Sequence, residues 1–242
     1  GGDPAHDIFH EYIRVVTGPR LDKVLSNPVA RSMYYSKILA LITNSYNSAT
    51  LNPLIDAKLG GFVSTNRIQA LKNFIVARTN SVLGQLPAPG VAYVAADSFL
   101  PMAPYWTQET GFRSIQAALD YAATNGITEI VVGTGVYTGN VCFSGDVILR
   151  SSAPTNPAIV AATVIDGGGN GPAVTFGGTE TTNCLLSGFT IRNGYAGSGG
   201  GIQGSGTLAR ITWCVITNNV ATNNGGGIAD CDGLISHNII GW

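Results

Sequence analysis

The chain has 242 residues, room for two modest domains or one long one, and charged side chains make up only 11% of it. The net charge of −1 hides a division: residues 1–90 hold nine Lys and Arg against five Asp and Glu, residues 91–242 four against nine. Neither half is basic enough to argue for nucleic acid as a partner, and no apolar run approaches the ~20 residues of a membrane span.

In chain order, residues 5–86 read as helical. Asp7 to Val16 places Ile8, Phe9, Tyr12, Ile13 and Val16 on one helical stripe. Asn27-Pro28 predicts a helix start, with Asn as the cap and Pro at the first helical position, and the helix runs to about Tyr46. Asn52-Pro53 predicts the start of a short third helix ending at Gly60-Gly61. Thr65 is expected to cap a fourth, with Ile68, Leu71, Ile75 and Val82 on one face and Gly84 as its stop. Short connections favour an antiparallel helical subdomain. A Pro/Gly cluster at 86–90 opens a linker over 87–109, in which Ala92 to Ala96 holds a short strand. From 110 the texture changes. Thr110 to Asn125 is an amphipathic helix stopped by Gly126, placed to cover the open end of a β-structure.

Short β-rich strips then follow, including Glu129–Val132, Val141–Phe143, Val147–Leu149, Thr163–Ile165, Val174–Phe176, Cys184–Leu186, Phe189–Ile191, Val215–Ile216 and Ile235–Ile240. Gly199-Gly200-Gly201-Ile202 recurs as Gly225-Gly226-Gly227-Ile228, and an internal repeat of that length marks a solenoid. The spacing predicts a parallel β-helix with two or three short strands per coil. Glycine, at 32 residues, lies well above the usual ~7% share, with the excess after residue 125. Asn193, Asn218, Asn219, Asn223 and Asn224 are expected to stack as an amide ladder between coils. The fold class is therefore two-part: a helical N-terminal subdomain (1–86), a linker (87–109) and a β-solenoid with a capping helix (110–242). Gly1 is not Met and Trp242 falls within an expected strand, so the chain is read as a piece of a longer protein, truncated at both ends.

Residues 110–242 resemble the right-handed parallel β-helix of the pectin-lyase-like superfamily. The resemblance rests on Thr107-Gln, Phe112-Arg-Ser-Ile115-Gln-Ala-Ala118, Ile130-Val-Val132-Gly133 and Gly135-Val136-Tyr137. It continues in Val164-Ile165-Asp166-Gly167-Gly168, Ser187 to Gly194 and the two Gly-Gly-Gly-Ile turns. It implies the fold; the same coils serve lyases, hydrolases and non-catalytic surface proteins. Residues 5–86 are similar to the C-terminal helical part of the CotH family of secreted kinases, through Arg20-Leu-Asp22, Asn27-Pro28, Tyr34-Tyr35, Leu39-Ala-Leu41, Leu54-Ile-Asp56 and Arg67 to Val82. That family's nucleotide-binding lysine and metal-binding aspartates would lie upstream of Gly1.

The candidate chemistry is sparse. His6 and His10 stand at i, i+4 without an evident third ligand, so a solvated helix face is the expectation. Lyases of the resembled fold bind Ca²⁺ through several Asp side chains and remove a proton with a basic residue. The candidates here are Asp146, Asp166, Glu180, Asp230 and Asp232, with Arg150, Arg192 and Arg210. Ca²⁺ needs six or more oxygens, and these acids do not recur at one coil position. Glycoside hydrolysis needs paired carboxylates, and no Asp-Asp pair stands in a strand. No lysine follows Lys72, which excludes a phosphate-binding P-loop in the glycine turns. Tyr195, in a loop between coils, is the best exposed aromatic; Trp213 is read as packing. The four cysteines, Cys142, Cys184, Cys214 and Cys231, form no CxxC pair. They are read as apolar fillers, with a Cys214–Cys231 disulfide as the alternative.

The sequence thus predicts an exported bacterial surface protein, extracellular or at the cell surface. Its β-helix would be a stalk or a glycan- or protein-binding surface, with no catalytic, cofactor or metal residues in this segment. Tyr195, Asp146, Asp166 and Arg150 are the candidate ligand-surface residues. The alternatives are a polysaccharide lyase or hydrolase, with Ca²⁺ as its cofactor in the lyase case, and the tail of a CotH-like kinase.

Overall fold

The computed structural model describes residues 25–86 and 90–241. The chain divides into two compact units, Gly1–Ala88 and Pro89–Trp242. The helix expected over Asp7 to Val16, and His6 and His10 with it, lie outside the described residues.

The first unit contains three described helices. Helix α1 (Pro28–Asn44) starts where Asn27-Pro28 predicts: Asn27 Oδ1 accepts from the Val29 and Ala30 amides at 3.0 and 3.1 Å. Helix α2 (Ser48–Leu59) starts earlier than expected, because the cap is Asn47 and Pro53 sits inside the helix. Asn47 serves both helices. Its Oδ1 accepts from Thr50 N at 2.9 Å, while its Nδ2 donates to the Ile42 and Thr43 carbonyls left open at the end of α1. Helix α3 (Thr65–Leu83) takes Thr65 as its first residue; Ser64 occupies the cap position without a side-chain bond. Ile68 and Ile75 are the buried positions of α3, one pair of i, i+7 sites on its inner stripe. Lys72 Nζ reaches Asp56 of α2 at 2.7 Å.

The second unit begins inside the stretch read as linker. Strand β1 (Val91–Val94) buries Ala92 and Val94 fully and pairs with the first strand after the helix. Residues 110–113, expected to be helical, instead lie along β1: Phe112 N donates to Tyr93 O, and Ala95 N to Phe112 O, both at 2.8 Å. The helix α4 (Ile115–Asn125) therefore starts at Ser114, whose Oγ accepts from Ala117 N, and stops at Gly126 with φ 67°. Its apolar face, Ile115, Ala118, Leu119 and Ala122, is buried as the sequence periodicity implies.

From there the chain runs in circuits. The first is β2 (Glu129–Val132), β3 (Gly135–Thr138) and β4 (Val141–Cys142). The second is β5 (Ile148–Ser151), a short helix α5 (Pro157–Ala162), β6 (Thr163–Asp166) and β7 (Val174–Thr175). The third is β8 (Leu185–Ser187), β9 (Thr190–Arg192), β10 (Tyr195–Ser198) and β11 (Ile202–Thr207). The fourth repeats it with β12 (Arg210–Thr212), β13 (Val215–Ile216), β14 (Val220–Asn224) and β15 (Ile228–Cys231). A fifth starts with β16 (Ile235–Ser236) and β17 (Ile239–Ile240).

Corresponding strands of successive circuits pair, and every pairing between named strands is parallel. The sheets read β1-β2-β5-β8-β12-β16, β3-β6-β9-β13-β17 and β4-β7-β11-β15, with a two-stranded β10-β14 sheet inserted in the third and fourth circuits. The register stacks like on like. Ile130, Leu149, Leu186 and Ile211 form one interior column and Ile165, Ile191 and Ile216 another, all fully buried. Each such side chain is worth roughly 1.5–3 kcal/mol of burial. Phe143 and Phe176 stack at 4.5 Å in the same interior.

The glycine repeat has a steric cause. A Cβ at Gly200 would lie 2.3 Å from Val220 O, and one at Gly201 2.4 Å from Gly227 O. Backbone passes too close there for any side chain, and both triplets lead into paired strands in register, Ile202 beside Ile228. The asparagines act differently from the expected ladder. Asn219 accepts from Gly194 N and donates to Ile191 O, both at 2.9 Å, so one amide splices two circuits through the backbone. Asn238 does the same with Cys214 N and Ile211 O. Helix α4 closes one end: the Gln116 amide bonds both Cys142 N and Cys142 O, occupying the free edge of β4 as an extra peptide group would. Among the described residues no helix is long and apolar enough to cross a membrane.

Candidate functional site

Four of the five sequence-predicted acids of the second unit, Asp146, Asp166, Glu180 and Asp230, accept hydrogen bonds, and the Asp232 side chain accepts none among the described residues. Asp166 ends β6, and register puts it beside Arg192 of β9. Its Oδ2 accepts from Arg192 Nε at 3.0 Å and from Asn193 Nδ2 at 2.9 Å, and its Oδ1 from Gly168 N at 3.1 Å. Burial alone would raise its pKa; the donors of Arg192, Gly168 and Asn193, with the guanidinium charge, outweigh burial and hold it below the ordinary carboxylate value. Asn193 and Asn218 hold φ of 57° and 54° at this corner, a left-handed conformation that asparagine tolerates.

Asp146 lies in the turn before β5, where both carboxylate oxygens are taken by the amide and hydroxyl of Thr181. It borders a cavity of about 250 Å³ floored by Leu119, Ala122 and Ile127. Arg150 of β5 pairs with Glu129 of β2 and also donates to Ser151 O. Glu180, 2% exposed, accepts from Gly177 N, Gly178 N and Thr207 Oγ1 at 2.9–3.0 Å. Asp230 accepts from Gln203 at 2.7 Å. The structure thus brings Asp166 and Arg192 together. Asp146 and Arg150 each have a separate partner, and neither bonds Asp166.

Tyr195 is not in a loop. It opens β10, opposite Val220 of β14, and the two side chains are 51% and 50% exposed. Arg192 and Asn193 precede Tyr195 by three and two residues, and both are fixed by Asp166 of the circuit before, so this corner joins an apolar step to fixed polar groups. Trp213 packs, as read, but on the outer face rather than in the interior. Its φ of 58° turns it out of the wall, and its ring stacks on His237 of the next circuit at 4.3 Å and 14°. Sequence reasoning lacked a signal for either: both depend on which turn residue takes positive φ.

All four cysteines are free thiols, including Cys214 and Cys231. Burial pushes Cys184 and Cys214 up to about 11 and Cys231 to about 12, so these thiols are poor nucleophiles at neutral pH. Among the described residues no three His, Cys, Asp or Glu side chains cluster to hold a metal ion. Compared with known protein families, curated proteins and solved structures, the chain gives no match.

One chemical pattern unites the acids. Glu129–Arg150, Asp146–Thr181, Asp166–Arg192, Glu180–Thr207 and Gln203–Asp230 each join residues 21 to 35 apart, one circuit to a neighbouring one. These five carboxylates hold circuits in register.

Proposed function

We propose that residues 90–241 form a right-handed parallel β-helix of the pectin-lyase-like kind, serving as a non-catalytic rod in an exported surface protein. The helical unit, similar to the C-terminal part of CotH proteins, joins it to the rest of that protein. The observation that carries this reading is the use of the acids. A lyase or hydrolase needs carboxylates free to bind Ca²⁺, a water or a glycosidic oxygen; here Asp146, Asp166, Glu180 and Asp230 are engaged by donors from neighbouring circuits. The Tyr195–Val220 step, rimmed by Arg192 and Asn193, is the ligand contact on the rod. An exposed ring beside fixed hydrogen-bonding groups suits a sugar face.

The test is a comparison of binding with turnover. Neutral and acidic glycans are offered to the full chain, and both retention and new reducing or unsaturated ends are measured. Retention without product, weakened about tenfold by Tyr195→Ala through loss of ring stacking (~1.4 kcal/mol), is the expected outcome. Product formation that disappears in Asp166→Asn would overturn the non-catalytic reading.

A further inference from the structure

Asparagine is a chemically labile residue, and most so when glycine follows it. The glycine nitrogen can attack the asparagine side-chain carbonyl, and the missing Cβ lets it approach. The chain holds four such pairs, all in the second unit: Asn125-Gly126, Asn170-Gly171, Asn193-Gly194 and Asn224-Gly225. The fold treats them differently. Asn125 ends α4, and its side-chain amide donates to Tyr121 O at 2.9 Å and Thr124 Oγ1 at 2.8 Å. In the second pair the attacking atom, Gly171 N, is held by donation to Tyr195 O at 2.9 Å. In the third, Gly194 N donates to Asn219 Oδ1 and the Asn193 amide to Asp166, each at 2.9 Å.

Asn224-Gly225 is the pair in which both reacting groups are free. Among the described residues neither the Asn224 side chain nor the Gly225 N–H has a hydrogen bond, and both residues are exposed. The surroundings make a change here consequential. A Cβ at Gly225 would lie 2.1 Å from Ile228 O, so the turn has no slack. Just after it, Gly226 O and Gly227 O accept from Gly201 N and Ile202 N at 2.9 and 2.8 Å. Those two bonds set Ile202 beside Ile228.

We infer that Asn224-Gly225 is a site of spontaneous modification that loosens the junction of the third and fourth circuits. Gly225 N gives its proton to water and bonds to Asn224 Cγ; the side-chain nitrogen leaves as ammonia, and a succinimide ring closes. Water then opens the ring. Cleavage at Cγ yields aspartate on an intact main chain. Cleavage at the Asn224 main-chain carbonyl yields isoaspartate, which routes the main chain through Cβ and Cγ and lengthens it just before the triplet. Both products add a negative charge to residues 91–242, where nine acidic side chains already face four basic ones. The inference goes beyond the rod reading and holds whether or not the rod binds or cleaves a glycan.

The experiment is peptide mapping by mass spectrometry of the full chain aged at mildly alkaline pH, once folded and once in denaturant, with aspartate and isoaspartate peptides separated. In the folded chain the Asn224 peptide should convert about tenfold faster than those of Asn125, Asn170 and Asn193, each of which must first give up a hydrogen bond. In denaturant the four rates should converge. Asn224→Gln, whose longer side chain disfavours ring closure, should remove the fast conversion. Asn224→Glu carries the charge on an unlengthened main chain and should unfold at the midpoint of fresh protein, whereas the isoaspartate fraction should unfold earlier. Conversion of folded Asn224 no faster than that of Asn170 and Asn193 would overturn the site. An isoaspartate fraction as stable as fresh protein would overturn the loosening of the junction.

Discussion

The two units contrast in how they bury apolar surface. In the described helices of the first unit the buried hydrophobics are few, Ile42, Ile68 and Ile75, helix α2 buries none, and Phe62 beyond it is 90% exposed. In the circuits, whole columns such as Leu149, Leu186 and Ile211 are fully buried. The helices satisfy their own backbone and depend on caps such as Asn47, whereas each strand depends on the circuit before and after it. Stability in the second unit is therefore a sum of interfaces between neighbours. In the helical unit it is local, and short helices held by local bonds are marginal.

The contrast is sharpest for one chemical change made in each unit. Ile191→Ala removes a fully buried side chain stacked between Ile165 and Ile216. It should cost about 2–5 kcal/mol of the β-unit's unfolding free energy. Leu71→Ala, at a 39% exposed position of α3, should cost about 0.5 kcal/mol or less. Urea unfolding followed by circular dichroism reads both. Equal losses would mean that the helical unit shares a cooperative core with the strands, and the division drawn here would fail.

The Asp166 bridge sharpens the comparison through pH. The pKa is lowered in the folded state, so the bridge contributes its full stability above the ordinary carboxylate value of 3.8. That contribution is lost as pH falls from there through the folded pKa. The stability difference between the wild type and Asp166→Asn should be constant from neutral pH down to about 5 and shrink below about 4. A difference that instead grows on acidification would reverse the sign and sink the assignment of Arg192 and Asn193 as donors to an ionised Asp166.

What the sequence made legible follows the same division. Three Asn-Pro dipeptides show the limits of a local signal. Asn27-Pro28 starts a helix as read, and Asn156-Pro157, inside a run of strand strips, starts α5 by the same cap, with Asn156 accepting from Ala158 N. Asn52-Pro53 starts nothing, because Asn47 had already capped α2. The strips were legible wherever apolar residues face the interior, and the recurring Gly-Gly-Gly-Ile marked the stacking interval. The β10-β14 sheet was not, because Tyr-Ala-Gly-Ser and Val-Ala-Thr-Asn-Asn lack apolar alternation and are paired only through their neighbours. The roles of the acids were hidden for a physical reason. A carboxylate bonded to a residue 21 to 35 positions away looks, in sequence, like a free one.

The smallest expected effect tests the local character of the helical unit. Lys72 and Asp56 link α2 and α3 at 2.7 Å, but the Asp56 side chain is 57% exposed. Water competes for both partners, and holding a long lysine in one rotamer costs entropy that the attraction barely offsets. Asp56→Asn should therefore change stability by less than about 1 kcal/mol, and the change should vanish in 1 M salt, where the Debye length is about 3 Å. The Asp166–Arg192 bridge, with Asp166 only 14% exposed and two further donors on its carboxylate, should keep most of its effect in the same salt. If both responses to salt were the same, exposure would not be what separates the two pairs. The helices would then be held together as firmly by charge as the circuits are.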